Sequence, residues 1–176
     1  MSISGHRRAS SGAGGMHPPR AHREAKKAMA KSTKPVPEGL RSLTPQIVVN
    51  DAAAALELYQ RAFGAEVMGK MTGPDGKSVM HSHVRIGDSV LFVASAGFAP
   101  PTHSNNFLYV PDVDAVFAKA TAAGFKVLAP VADMFWGDRW GQVQDPYGNA
   151  WQLATHVEDV SPEEMQRRAK QAAPPK

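Results

Sequence analysis

The chain has 176 residues, 43% of them hydrophobic, with 20 Lys and Arg against 16 Asp and Glu, seven His and no Cys. That length suits one domain with a sizeable core, and the lack of Cys excludes disulfides, cysteine zinc sites and thiol nucleophiles. No apolar run approaches the roughly 18–20 residues of a membrane-spanning helix, so the sequence predicts a soluble, cytoplasmic protein with no membrane partner.

Residues 1–40 hold Arg7, Arg8, Arg20, Arg23, Lys26, Lys27, Lys31 and Lys34 against Glu24 and Glu38, net +6, whereas the remainder carries 12 basic and 14 acidic residues, net −2. The overall +4 therefore belongs to a leader rich in Ser, Gly, Pro and Arg. It has too few large apolar residues to offset its ordering entropy by burial, which predicts disorder. Three readings of it are open: a basic arm for an anionic partner, a transit peptide, or a flexible extension with Met29 opening the natural chain. No apolar stretch follows the basic residues, so it is not a secretory signal. Nucleic-acid binding has only this leader behind it and is not expected of the folded part.

From residue 44 one pattern is written twice. Gln46-Ile47-Val48-Val49 reads as a strand, Asp51 opens a helix with Leu56, Tyr59 and Phe63 on one stripe, and Gly64 ends it. A strand and a hairpin through Gly87 into Ser89-Val90-Leu91-Phe92-Val93 follow. The second pass runs Phe107-Leu108-Tyr109-Val110, then Asp112, a helix carrying Val113, Val116, Phe117 and Ala120, and Gly124. After it come Lys126–Leu128 and a turn at Asp145-Pro146-Tyr147-Gly148 into Ala150-Trp151-Gln152-Leu153. Val49 to Gly64 spans 15 residues and Val110 to Gly124 spans 14; Gly64 to Gly87 spans 23 and Gly124 to Gly148 spans 24. Each half is a β-α-β-β-β module. Ser161-Pro162-Glu163-Glu164 is a capping box opening a third, polar helix, expected on the outside or against a partner subunit.

The expected fold class is α+β: two tandem β-α-β-β-β modules forming a curved mixed-sheet cup with the helices outside, plus a C-terminal helix. The domain spans residues 41–160, with modules at 44–99 and 105–157, and the helix and tail occupy 161–176. A concave cup of this kind is a ready ligand site.

The duplicated module, with Asp145-Pro146-Tyr147-Gly148-Asn149-Ala150-Trp151-Gln152-Leu153 near its end, resembles the vicinal oxygen chelate superfamily. That group includes glyoxalase I, extradiol dioxygenases, and fosfomycin- and bleomycin-resistance proteins. His81-Ser82-His83-Val84-Arg85-Ile86 and Phe135-Trp136-Gly137-Asp138-Arg139-Trp140-Gly141 are most similar to its PhnB-like branch. The resemblance covers about residues 42–157 and implies metal-ligand positions on the first and last strand of each module. They fall on Thr44, Leu91, Asn105 and Gln152. Leu has no donor and the other three bring no charge to offset dehydration of a divalent ion. No cofactor is expected, and with the metal absent Lewis-acid enediolate chemistry is not expected either.

Two stretches carry candidate chemistry. A three-residue turn around Gly87 puts His81 and His83 in the cup with Leu91, with Gln142 and Gln144 at the repeat-equivalent positions; a two-residue turn puts both imidazoles on the helix side. The three-residue register is favoured because Val84, Ile86, Val90 and Phe92 then share the buried face. Two His at i, i+2 on a strand can bind metal or shuttle protons near neutral pH. In the loop 134–141, Trp136 and Trp140 can stack on a planar or cationic ligand while Arg139 forks onto a carboxylate or phosphonate; alternatively Asp138 and Arg139 form a turn and the tryptophans pack into the seam.

The expected cup lining is Gln46, His83, Trp136, Arg139, Trp140, Gln144 and Gln152. The favoured function is metal-independent binding of a small organic ligand by a homodimer. The alternative is a lyase, isomerase or oxygenase using His81 or His83 as base or as ligand to a displaced metal.

Overall fold

The computed structural model describes residues 34–97 and 99–172. The disordered-leader reading, as far as residue 33, and the last four residues of the tail lie outside these. The chain builds an α+β fold of eight strands and three helices among the described residues. These are β1 (Gln46–Val49), α1 (Ala52–Phe63), β2 (Glu66–Thr72), β3 (Val79–Ile86), β4 (Ser89–Ser95), β5 (Asn105–Tyr109), α2 (Val113–Ala122), β6 (Lys126–Asp133), β7 (Asp138–Gln144), β8 (Ala150–His156) and α3 (Pro162–Ala172). The strands form two four-stranded mixed sheets of identical topology, β1-β4-β3-β2 and β5-β8-β7-β6. In each, the first strand runs parallel to the fourth and the other pairings are antiparallel.

Both module helices start as their Asp residues dictate. Asp51 and Asp112 are extended, and each carboxylate accepts the amide hydrogen three residues on, from Ala54 and Ala115, at 3.0 Å. Helix α1 stops at Gly64, whose φ of 67° lies in the left-handed region that glycine enters without penalty. Helix α3 buries nothing and is tied down by ion pairs, Arg168 bridging Glu158 and Glu164.

The helices sit on one face of each sheet and pack against each other, and this side of both modules shares one core. Tyr59 and Phe63 of α1 meet Trp151 of β8 at ring centroid distances of 5.3 and 4.7 Å, and Phe63 meets Phe125 edge-on at 5.3 Å. Full burial of an aliphatic side chain is worth about 1.5–3 kcal/mol, and Ile47, Val49, Leu56, Val84, Val93, Val143 and Leu153 all reach it. Thr102, in the connection between modules, covers the outer edge of β1 by bonding both the amide and the carbonyl of Val48. The opposite face of each sheet is left open. Met71, Phe107 and Tyr109 stand there 54%, 46% and 60% exposed.

The β3–β4 hairpin corrects the favoured register. Ile86 pairs with Ser89 across a two-residue Gly87-Asp88 turn, so Val84 faces Leu91, His83 faces Phe92 and His81 faces Ala94. The buried set is Val84, Ile86, Leu91 and Val93. Leu91 is therefore a core residue rather than a cup position. Both histidines still point away from the helices, because the strand face that Leu91 occupies is the helix side. Their repeat equivalents are Trp140, opposite Ala154, and Gln142, opposite Gln152, not Gln142 and Gln144.

Candidate functional site

The open face of the first sheet carries Gln46, His81, His83 and Phe92. Strand pairing sets this, since Phe92 lies beside Gln46 on one side and His83 on the other. The His83 ring stacks on Phe92 at 4.5 Å, and His81 stands edge-on to both Phe92 and His83 at 5.0 and 5.2 Å. Partial burial, and then the neighbouring His83, lower the pKa of His81 below its usual value. A neutral imidazole near pH 7 follows. No carboxylate among the described residues orients either ring, so the pair lacks the orienting third group of a base assisted by an acid.

The open face of the second sheet is more aromatic. Asn105, Phe107 and Tyr109 alternate along β5, with the Phe107 and Tyr109 rings 5.0 Å apart. The Trp140 indole N–H donates to Gln152 Oε1 at 3.2 Å, and Gln152 Nε2 donates to Asn105 Oδ1 at 3.1 Å, so one chain of bonds crosses three strands. Trp136 meets Trp140 edge-on at 6.2 Å. Beneath them lies Asp138, 3% exposed. Its Oδ2 accepts from the Tyr109 hydroxyl and the Trp136 indole N–H, both at 3.0 Å, and its Oδ1 meets His156 Nδ1 at 2.8 Å. Burial, followed by the bond to Asp138, raises the Tyr109 pKa, which keeps the phenol a neutral donor. The carboxylates of Asp159 and then Asp138 raise His156 above the usual imidazole range. A groove of about 540 Å³ runs beside β5, walled by the Ile86–Leu91 turn, Pro45 and Trp151.

Arg139 does not join the two tryptophans. Alternation along β7 turns it away from Trp140. Its guanidinium is held on Asp114 of α2 by two bonds of 2.6 and 2.8 Å, with Asp133 at 3.0 Å. Gln144 stays on the open face but at its far end, bonded to the Gly148 carbonyl at 3.2 Å. The expected lining thus divides: Gln46 and His83 on one sheet, Trp136, Trp140 and Gln152 together on the other, Arg139 and Gln144 apart from both.

Two buried aspartates were not legible as hubs. Asp138 is one. The other is Asp145 of the Asp-Pro-Tyr-Gly-Asn turn, 3% exposed, which accepts from the Tyr59 hydroxyl at 2.7 Å, the Asn149 and Tyr147 amides at 2.9 Å and the Trp151 indole at 3.3 Å. Tyr59 belongs to the first module, so this motif is an inter-module clasp rather than part of the open face. The only sequence signal is an indole donor near each, Trp136 two residues before Asp138 and Trp151 six after Asp145.

The residues at the family's metal positions do not fit a divalent ion. The Thr44 hydroxyl donates to the Arg41 carbonyl, Asn105 and Gln152 bond each other, and the fourth position is the core Leu91, with the Phe92 ring standing on the open face beside it. None is a carboxylate or imidazole, and among the described residues no three His, Asp or Glu are grouped to hold an ion. No helix of the described residues is long and apolar enough to cross a membrane.

The fold and these two open faces define the class. Residues 41–153 match the Glyoxalase/Bleomycin resistance protein/Dioxygenase superfamily, and the chain belongs to that family. It is 36% identical over 162 residues to an uncharacterized protein of Mycobacterium tuberculosis, covering 84% of this chain and 89% of that relative. Among solved structures it is similar to TioX from Micromonospora sp. ML1, with a TM-score of 0.59 and 24% identity over 65% of this chain and 98% of the other. It is also similar to the PhnB protein of Bacillus cereus, with a TM-score of 0.51 and 18% identity over 65% and 99%.

Proposed function

We propose that this protein binds a planar organic ligand on the aromatic face of its second sheet, without a divalent metal, as a cytoplasmic homodimer. The observation that carries this reading is the cluster of Phe107, Tyr109, Trp136 and Trp140 beside the carboxamides of Asn105 and Gln152. Exposed rings beside a few fixed polar groups are what a binding surface for a flat, uncharged molecule needs. A monomer leaves both open faces half-lined. The second copy supplies its first-sheet face, Gln46, His83 and Phe92, to complete the enclosure, which also covers the exposed apolar side chains. The His81 to Ile86 and Phe135 to Gly141 runs support a place in the PhnB-like branch.

The enzymatic alternative draws on the imidazoles of His81 and His83, but neither has an acidic partner to orient it, which favours binding over proton transfer. Melting-shift screening of a metabolite library tests the reading. A ligand that stabilises the wild type and Arg139→Ala equally, but not Trp140→Ala, is the expected result. Dependence on Arg139 with indifference to Trp140 overturns it.

A further inference from the structure

The first sheet offers something the second does not: a small pocket walled by soft donors. It has a volume of about 150 Å³ and is lined by Gln46, Val48, Met71, Met80, His81 and Ala94, among others. Met71 lies directly opposite His81 in the β2–β3 ladder. The register shift between Met71 and Thr72, which pairs with Val79, leaves Met80 as the extra residue of β3, and its side chain turns into the same pocket. His83 stands 5.2 Å from His81 between ring centroids, with Phe92 stacked behind it. Among the described residues no hydrogen bond occupies either imidazole.

We propose that this pocket binds a soft monovalent cation, Cu(I), through the His81 imidazole and the thioethers of Met71 and Met80. The chemistry follows from donor type and charge. Thioether sulfur and neutral imidazole nitrogen select Cu(I) over the hard divalent ions. A monovalent ion needs no carboxylate to compensate its dehydration, and none lines the pocket. The volume admits an ion and its ligands but not a drug-sized organic molecule, since such sites run to about 300–1,000 Å³. Val48, Ala94 and Ala99 give the pocket apolar walls. The pocket borders the first-sheet residues that the proposed dimer brings over the aromatic face, but its donors Met71, Met80 and His81 are not among them, so Cu(I) binding stands whether or not that face binds a ligand.

Anaerobic titration of the full chain with Cu(I), using bicinchoninate as the competing chromophore, tests it. The expected result is one Cu(I) retained per chain, with Met71→Leu and His81→Ala each weakening binding by at least the roughly 10–100-fold that even outer-shell losses cost. A second measurement reports location. With methionine methyl groups labelled by carbon-13, adding Ag(I) as a redox-inert surrogate shifts the Met71 and Met80 resonances and leaves Met68, Met134 and Met165 in place. No retained Cu(I), shifts confined to Met1, Met16 and Met29, or Zn(II) binding as tight as Cu(I) and indifferent to Met71→Leu each overturns the proposal.

Discussion

Tyr59→Phe removes one oxygen from the clasp between the two modules and leaves the ring. The lost bond is the 2.7 Å donation to Asp145 Oδ2, buried at both ends. Hydrogen bonds to charged groups contribute about 1.5–3 kcal/mol. Asp145 Oδ2 keeps Asn149 Nδ2 at 3.1 Å and the Trp151 indole at 3.3 Å, and Oδ1 keeps two backbone amides, which places the loss near the middle, about 2 kcal/mol. For a chain of this size that lowers Tm by about 4–8 °C, read by calorimetry at pH 7. Asp145→Ala strands the hydroxyl, the indole and two amides at once and costs more, above about 3 kcal/mol. The clasp also sets an alkaline limit. Burial, then the Asp145 charge, raises the Tyr59 pKa above its usual 10.0, so the unfolded phenol ionises first. Its stabilisation is complete below about pH 10 and falls as pH rises beyond it. Tyr59→Phe loses that limb of the curve. A Tyr59→Phe protein melting within 1 °C of the wild type, or Asp145→Ala no worse than Tyr59→Phe, refutes the clasp.

Gly137→Ala meets two obstacles. Its φ is 97°, and an added Cβ falls 2.1 Å from the Glu158 carbonyl oxygen that lies over the turn; such backbone strain costs about 1–3 kcal/mol before the clash. A lower Tm and an altered Trp136 emission are expected, and an unchanged melt contradicts the turn geometry. His156→Gln tests the Asp138 hub through pH. Because the folded imidazole has a raised pKa, its contribution is complete below about pH 6.5 and lost as pH rises through the folded value. The Tm deficit of His156→Gln is therefore larger at pH 5.5 than at pH 9, and an equal deficit at both removes the ion pair from the account.

The sequence carried the duplicated topology because its punctuation is local: Asp51 and Asp112 cap, and Gly64, Gly87, Gly124 and Gly148 recur at matched spacing. The face of β4 was not legible, since Val90-Leu91-Phe92-Val93 is apolar throughout and fits either register; a one-residue difference in the turn then reverses every side chain. The placement of Arg139 was not legible for a different reason. Its partner Asp114 lies 25 residues away on a helix whose approach only the folded chain defines. Tyr59 and Asp145 are 86 residues apart, and nothing in either neighbourhood announces the other. Of the candidate site, the sequence placed Trp136, Trp140, Gln152, His81 and His83 together in one cup, whereas the folded chain groups the first three on one sheet face and the two histidines on the other.

The central claim is that the aromatic face of the second sheet binds an organic ligand without a divalent ion. The direct test is the ligand-induced melting shift of the full chain before and after treatment with EDTA. At a ligand concentration of 100 Kd the expected stabilisation is about 2.7 kcal/mol, a rise of roughly 5–11 °C for a protein of this length, equal in both samples and lost in Trp140→Ala. A shift that vanishes with EDTA and returns with a divalent ion, or silence across acidic, aromatic and cationic ligands alike, contradicts it.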